Sequence, residues 1–338
     1  VSGQFIGVLS VILLALGFDY TNGFHDAANA IATTISTRAL TPRLALLMAA
    51  VGNFAGAHLG GAVAKTVGGG LVTLPTGDAG LGIVLAGLLG AICWNLATWY
   101  LGIPSSSSHA LFGGLVGATL SAVLFFGTDA TVLWGGIVSN VILPMVVSPL
   151  IGFALGAAVM VAIMWIFRRG NPHKLNRGFR VAQTVSGAAM SVGHGMQDAA
   201  KTMGIIVLAL YTGGYQTNKT DIPWWVFWTS AGVLALGTYS GGWRIIGTLG
   251  RRVIALDPPA GFAAEASASA VLFATSRLGL PISTTHTITS AIMGVGATKK
   301  FSAVRWGVAR TIVAAWVLTF PAAAVLAALA YLLVKPLF

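Results

Sequence analysis

Apolar runs of membrane-spanning length follow one another from end to end of this chain. Phe5–Phe18, Leu44–Val63, Leu81–Leu101, Ala110–Phe126, Thr131–Phe167, Trp224–Gly242, Gly261–Ser276 and Ala303–Val334 each approach or exceed the roughly 20 residues that carry a helix through a bilayer. None shows the two-residue alternation of a barrel strand, so the pattern predicts helices throughout. The polar positions that interrupt these runs are few, and they repeat. Asn22-Gly-Phe-His-Asp26-Ala-Ala-Asn29, followed by Pro104-Ser-Ser-Ser-Ser-His109, has a counterpart in His194-Gly-Met-Gln-Asp198-Ala-Ala-Lys201, followed by Pro281-Ile-Ser-Thr-Thr-His286. Asp26 and Asp198 differ by 198 − 26 = 172, as do Trp134 and Trp306 and also Pro149 and Pro321, while His109 and His286 differ by 286 − 109 = 177. Polar features that recur in register inside apolar sequence mark a pair of matched sites as well as a doubled scaffold.

Composition narrows the class. With 56% hydrophobic and 8% charged residues among 338, the chain has too little charge to cover a water-facing surface. The 44 glycines suit closely packed membrane helices. One cysteine, Cys93, excludes an intramolecular disulfide and a multi-cysteine metal site. The first apolar segment has no basic region before it, so no cleavable signal is expected, and the absent initiator Met suggests a start within or just after a processed end.

The net charge of +11 would suit nucleic acid or anionic lipid, but its distribution speaks of topology instead. Arg38 and Arg43 share one loop. Arg168, Arg169, Lys174, Arg177 and Arg180 share the central one, Arg244, Arg251 and Arg252 a third, and Lys299, Lys300 and Arg305 a fourth. Placing all four on the cytoplasmic side gives five crossings on each side of the central loop and both termini outside. An odd number of crossings per repeat turns the second copy upside down relative to the first. The expected organisation is therefore residues 1–167 as a first inverted repeat, 168–180 as a basic cytoplasmic linker and 181–338 as the second repeat, all-α, with broken or re-entrant helices at the centre and no separate soluble domain.

Four acidic residues, Asp19, Asp26, Asp198 and Glu265, fall at membrane depth, where each carboxylate costs about 2.5–3.5 kcal/mol and must face a cavity or a partner. Asp19 and Glu265 suit helix-tying hydrogen bonds as well as they suit function; the repeated Asp26 and Asp198 point to function. Asn22, Asp26, Asn29 and Thr33 form a polar stripe at helical spacing, and His194, Asp198, Lys201 and Thr202 answer it in the second copy. Gly23 and Gly195 are expected as helix breaks that free carbonyls for a cation. Pro104 and Pro281 are expected at helix starts, with the hydroxyls of Ser105, Ser106, Ser107, Ser108, Ser283, Thr284 and Thr285 and their backbone N–H groups offered to an anion. A dianion brought beside two carboxylates in a low-dielectric site is repelled unless cations or protons enter with it, so the arrangement implies coupled transport.

These residues resemble the inorganic phosphate transporters of the Pit type. Gly23-Phe-His-Asp26-Ala-Ala-Asn29-Ala30 is similar to the first copy of the family signature, Gly195-Met-Gln-Asp198-Ala-Ala-Lys201-Thr-Met-Gly204 to the second, and the two hydroxyl-rich segments to elements near the substrate site. The resemblance covers nearly the whole chain. It implies a cation-coupled symporter of inorganic phosphate, carried alone or as a metal–phosphate complex, in the cytoplasmic membrane and as a homodimer. His25 and Gln197 stand where the family usually has asparagines, Ala200 where a glutamine is common, and Asn53 near a frequent acidic position, which disfavours the family's sodium set and turns the reading toward protons.

On this reading Asp26, Asp198, His25, Asn22 and Gln197 handle the coupling cation, Na+ or H+. Asn29, Thr202 and the hydroxyl groups hold the anion, Lys201 pairs with Asp198 or contacts the anion, and His109 and His286 relay protons or orient helices. No cofactor and no nucleic acid are expected. A sulfate importer of the same build is the main rival; an intramembrane enzyme using Ser105–Ser108 with His109 gains little, since no acidic orienter adjoins either histidine, and two half-sites suit a carrier better than a channel.

Overall fold

A computed structural model describes residues 3–338. Twelve helices carry most of them. In order they are α1 (Gly3–Ser36), α2 (Pro42–Ala57), α3 (Gly61–Gly69), α4 (Asp78–Leu101), α5 (Ser107–Phe126), α6 (Trp134–Ile166), α7 (Pro172–Thr212), α8 (Trp224–Ser240), α9 (Trp243–Gly247), α10 (Pro258–Arg277), α11 (Thr284–Lys299) and α12 (Trp306–Val334). Between two loops, β1 (Val72–Thr73) and β2 (Thr131–Val132) pair antiparallel as a short clip.

Five helices are long and apolar enough to cross a membrane: α1, α4, α5, α6 and α12 with the turn that follows it; α2 and α3, bent by 67° at their junction, qualify as a sixth when taken as one broken span. The remaining long elements are shorter or more polar. One of them, α7, runs 41 residues and was not among the apolar runs legible in the sequence, because its inner half is occupied by Gln183, Ser186, Ser191, His194, Gln197, Asp198, Lys201 and Thr202, all buried. A polar face turned inward dilutes hydropathy without placing the helix in water. The apolar residues that remain exposed, among them Leu124, Phe125, Trp228, Leu236, Val317 and Leu333, suit contact with lipid.

Element order is the same on either side of the central loop: a long helix (α1, α7), a bent or interrupted pair (α2–α3, α8–α9), a helix (α4, α10), a helix opening on a hydroxyl-rich cap (α5, α11) and a long helix bearing an internal proline, Pro149 in α6 and Pro321 in α12. The principal packing partners are exchanged between these sets. α5 lies along α12 and α11 along α6, while α2 packs on α7 and α8 on α1. Neither set could keep these faces covered by itself.

The expected breaks at Gly23 and Gly195 do not occur, since α1 and α7 run through both without interruption. The glycines serve close approach instead. A methyl group on Gly23 would lie 2.6 Å from the Leu234 carbonyl oxygen, and one on Gly195 2.6 Å from Asn53 Cα, so each marks where a neighbouring backbone crosses without room for a side chain. The interruptions sit at the α2–α3 bend and in the extended segments that lead into α5 and α11.

Candidate substrate and cation pocket

Those extended segments place the helix starts. Pro104 and Pro281 precede the helices rather than opening them. Ser106 and Ser283 are the N-caps, their hydroxyls accepting from His109 N and His286 N at 3.2 Å each, so helix begins at Ser107 and Thr284. A capping serine is engaged by its own helix, which turns the next residues inward: Ser107 and Ser108 on α5, Thr284 and Thr285 on α11. The two helix starts face one another. The His109 and His286 rings meet at a tilt of 51° with centroids 4.8 Å apart, and the Ser108 hydroxyl reaches the Ile282 carbonyl at 3.4 Å. Two N-termini therefore direct their unpaired N–H groups and the positive ends of their dipoles at one spot.

α1 and α7 pass beside that spot and supply its charges. Asn29 Nδ2 donates to Thr284 Oγ1 at 3.1 Å and to Thr285 Oγ1 at 2.9 Å. Thr285 donates to Asp26 Oδ1 at 3.3 Å and Thr284 to Asp198 Oδ2 at 3.5 Å. Lys201 Nζ is held three ways, by Ser108 Oγ at 2.5 Å, Asp198 Oδ1 at 2.8 Å and the Ile282 carbonyl at 2.9 Å. His25 Nδ1 lies 2.7 Å from Asp26 Oδ1, and its other nitrogen meets Thr98 at 3.0 Å and Ser105 at 3.3 Å. His194 stands between Asn53, 3.1 Å away through Nδ1, and Asp198 Oδ2, 3.0 Å from Nε2. All of these side chains are buried.

One group within this cluster has the chemistry of a cation site. Asp26, His194 and Asp198 each offer a ligand atom, and the three atoms lie within 4.8 Å of one another. An imidazole nitrogen with two carboxylate oxygens fits a divalent transition ion as well as a proton. His194, one turn before Asp198 and in the same polar stripe, was not among the residues expected to handle the cation.

The other expected site residues have narrower placements. Gln197 accepts from Ile282 N at 3.2 Å and donates to the Leu280 carbonyl and Thr275, tying the loop before α11 to α7. The Ser107 hydroxyl and the Asn29 side-chain carbonyl are buried with no protein partner, as are the Asn22 carbonyl and the Thr202 hydroxyl. His286 stacks at 4.0 Å on Trp316, whose indole N–H bonds the Pro104 carbonyl, which ties the α5 lead-in to α12. Glu265 lies in a separate cluster, taking hydrogen bonds from Thr33, Thr34, Gln183 and Ser186.

A buried polar cluster at two facing helix starts, with carboxylates and one ammonium inside a bundle whose outer face is apolar, has the chemistry expected of a membrane transporter's ion site. Comparison with known proteins gives the family. The profile described as "Phosphate transporter family" matches residues 22–327. A Rhizobium meliloti protein described as "Probable low-affinity inorganic phosphate transporter" is 47% identical over 96% of this chain and 95% of its own length, and a Bacillus subtilis protein with the same description is 44% identical over 97% of each. A solved structure titled "The sodium-dependent phosphate transporter" superposes with a TM-score of 0.83 over 98% of this chain and 100% of that one, at 24% identity, and shows the same fold. The chain belongs to the phosphate transporter family, a multi-pass membrane protein among transporters and not an enzyme.

Proposed function

We propose that this protein imports inorganic phosphate across the cytoplasmic membrane by cation-coupled symport, working by alternating access between two inverted halves, residues 1–167 and 181–338, joined by the basic linker 168–180. The observation that carries the reading is the convergence of the α5 and α11 starts on Asn29 and Lys201: hydroxyls, backbone N–H groups and an ammonium together form a receptor for a small oxyanion. Asp26 and Asp198 stand at the rim of that receptor.

Coupling follows from charge. Two carboxylates and one ammonium already leave the pocket negative before any substrate arrives, and a phosphate dianion added alone would be repelled in so dry a site. A proton shared by His25 and Asp26, or a cation held by Asp26, His194 and Asp198, removes the repulsion, so substrate and cation bind well only together. The donor set of the second group also favours a metal–phosphate complex as cargo, the metal bridging carboxylates and phosphate oxygens. The family relationship to the Rhizobium and Bacillus proteins supports phosphate over sulfate. A homodimer with both termini outside is part of the same reading.

Uptake of labelled phosphate into proteoliposomes, with sodium and proton gradients imposed separately and sulfate as competitor, tests it. Accumulation driven by at least one gradient and unaffected by equal sulfate supports phosphate symport; accumulation of sulfate in its place would refute it.

A further inference from the structure

The phosphate pocket does not use Asp19. This carboxylate is fully buried on α1, two turns before Asp26, and neither of its oxygens has a hydrogen-bond partner. Among the described residues no basic side chain pairs with it, since His25 and His194 lie against Asp26 and Asp198, and Lys201 is held by Asp198. An ionised carboxylate left so in a low-dielectric interior is among the costliest arrangements a protein can contain.

Its neighbours are unsatisfied in the same way. Asn22, one turn along α1, has a buried side-chain carbonyl without a partner, and Thr202 on α7, beside Asp19, has a buried hydroxyl without one. Asn95 on α4 is unsatisfied at both its oxygen and its nitrogen. The helices are in register to bring these together. A methyl on Gly7 would meet Leu81, and His25 meets Thr98, so α1 and α4 run parallel with Asn95 level with Asn22. Asp26 faces His194, and Gly187 faces Thr34, so α1 and α7 run antiparallel with Thr202 level with Asp19. The register thus sets a carboxylate, two amide carbonyls and a hydroxyl, from three helices, at neighbouring levels of the buried interior.

We propose that Asp19, Asn22, Asn95 and Thr202 form a second cation site, separate from the Asp26–His194–Asp198 group, and that its ligand is sodium. All its donors are hard oxygens, which disfavours transition metals. It has a single carboxylate, so a divalent ion would be left under-neutralised where solvent cannot compensate. A sodium ion would satisfy the four groups at once and balance the charge. The site extends the symport reading by naming a sodium ion that binds beside, and independently of, the anion.

The test is made on purified protein without phosphate, so that its failure is separable from failure of the transport reading. Thermal unfolding is followed as sodium replaces choline at constant ionic strength. We expect sodium to raise the melting temperature of the wild type saturably, and Asp19→Asn to raise the apparent sodium dissociation constant at least about tenfold. Thr202→Val and Asn22→Ala, which remove one donor each, are expected to weaken sodium in the same direction, and they decide the matter if Asp19→Asn fails to fold. Absence of a sodium response in the wild type, as for a permanently protonated Asp19, overturns the site, and so does a wild-type response in the variants.

Discussion

Lys201 and Asp198, one turn apart on α7, hold each other at 2.8 Å in a pocket from which both are almost wholly withdrawn from solvent. Among the described residues the lysine is at the same time the only ammonium positioned at the two helix starts, so a single side chain pairs with the Asp198 carboxylate and stands at the proposed anion receptor. Lys201→Met should leave Asp198 as an underpaired buried charge and destabilise the folded protein by about 3–5 kcal/mol. Adding Asp198→Asn should restore most of that loss. A double-mutant cycle on thermal or denaturant unfolding in detergent measures both.

Asn29 is the link between α1 and the start of α11. Asn29→Ala removes its two hydrogen bonds to Thr284 and Thr285, a change worth about 1–3 kcal/mol of stability. Because those hydroxyls are then held only by their longer bonds to Asp198 and Asp26, the KM for phosphate should rise more than the maximal uptake rate falls. Initial rates over a phosphate series separate the two.

The helix crossings depend on absent side chains. Gly23→Ala drives a methyl into the Leu234 carbonyl and should lower stability by about 1–3 kcal/mol, whereas Gly232→Ala, where a methyl would meet nothing, should not. Paired melting curves check the contrast.

The Glu265 cluster predicts a different response. Thr33, Thr34 and Gln183 donate to Oε1, where an amide oxygen can also accept, and at the other position the amide N–H can donate to the Ser186 hydroxyl in place of the bond Ser186 now gives. Glu265→Gln should therefore change stability by less than about 1.5 kcal/mol, while Glu265→Ala, leaving four buried donors without their acceptor, should cost more than that. Unfolding of the two variants side by side gives the answer.

What could be read in advance followed the periodicities. The repeated Asp26 and Asp198 motifs and both hydroxyl segments were visible because polar residues in apolar sequence stand out, and the helix starts were misplaced by only a few residues because proline and N-cap signals overlap there. The span of α7 was hidden by its own inward polar face. Gly23 and Gly195 were read as breaks, since a glycine in a helix signals flexibility and close contact alike, and only the position of the crossing helix separates them. The contributions of Asn53, Asn95 and Thr98 depend on which helices meet, which no local pattern encodes: Asn53 reaches the cluster through His194 on α7, and Thr98 through His25 and Ser105.

The central claim is that the Asp26 carboxylate couples a cation to phosphate. The direct measurement is accumulation of labelled phosphate in proteoliposomes of wild type and Asp26→Asn at matched amounts of folded protein. The account predicts concentrative uptake by the wild type under an imposed cation gradient and none by the variant. Accumulation by Asp26→Asn at the wild-type level would contradict it.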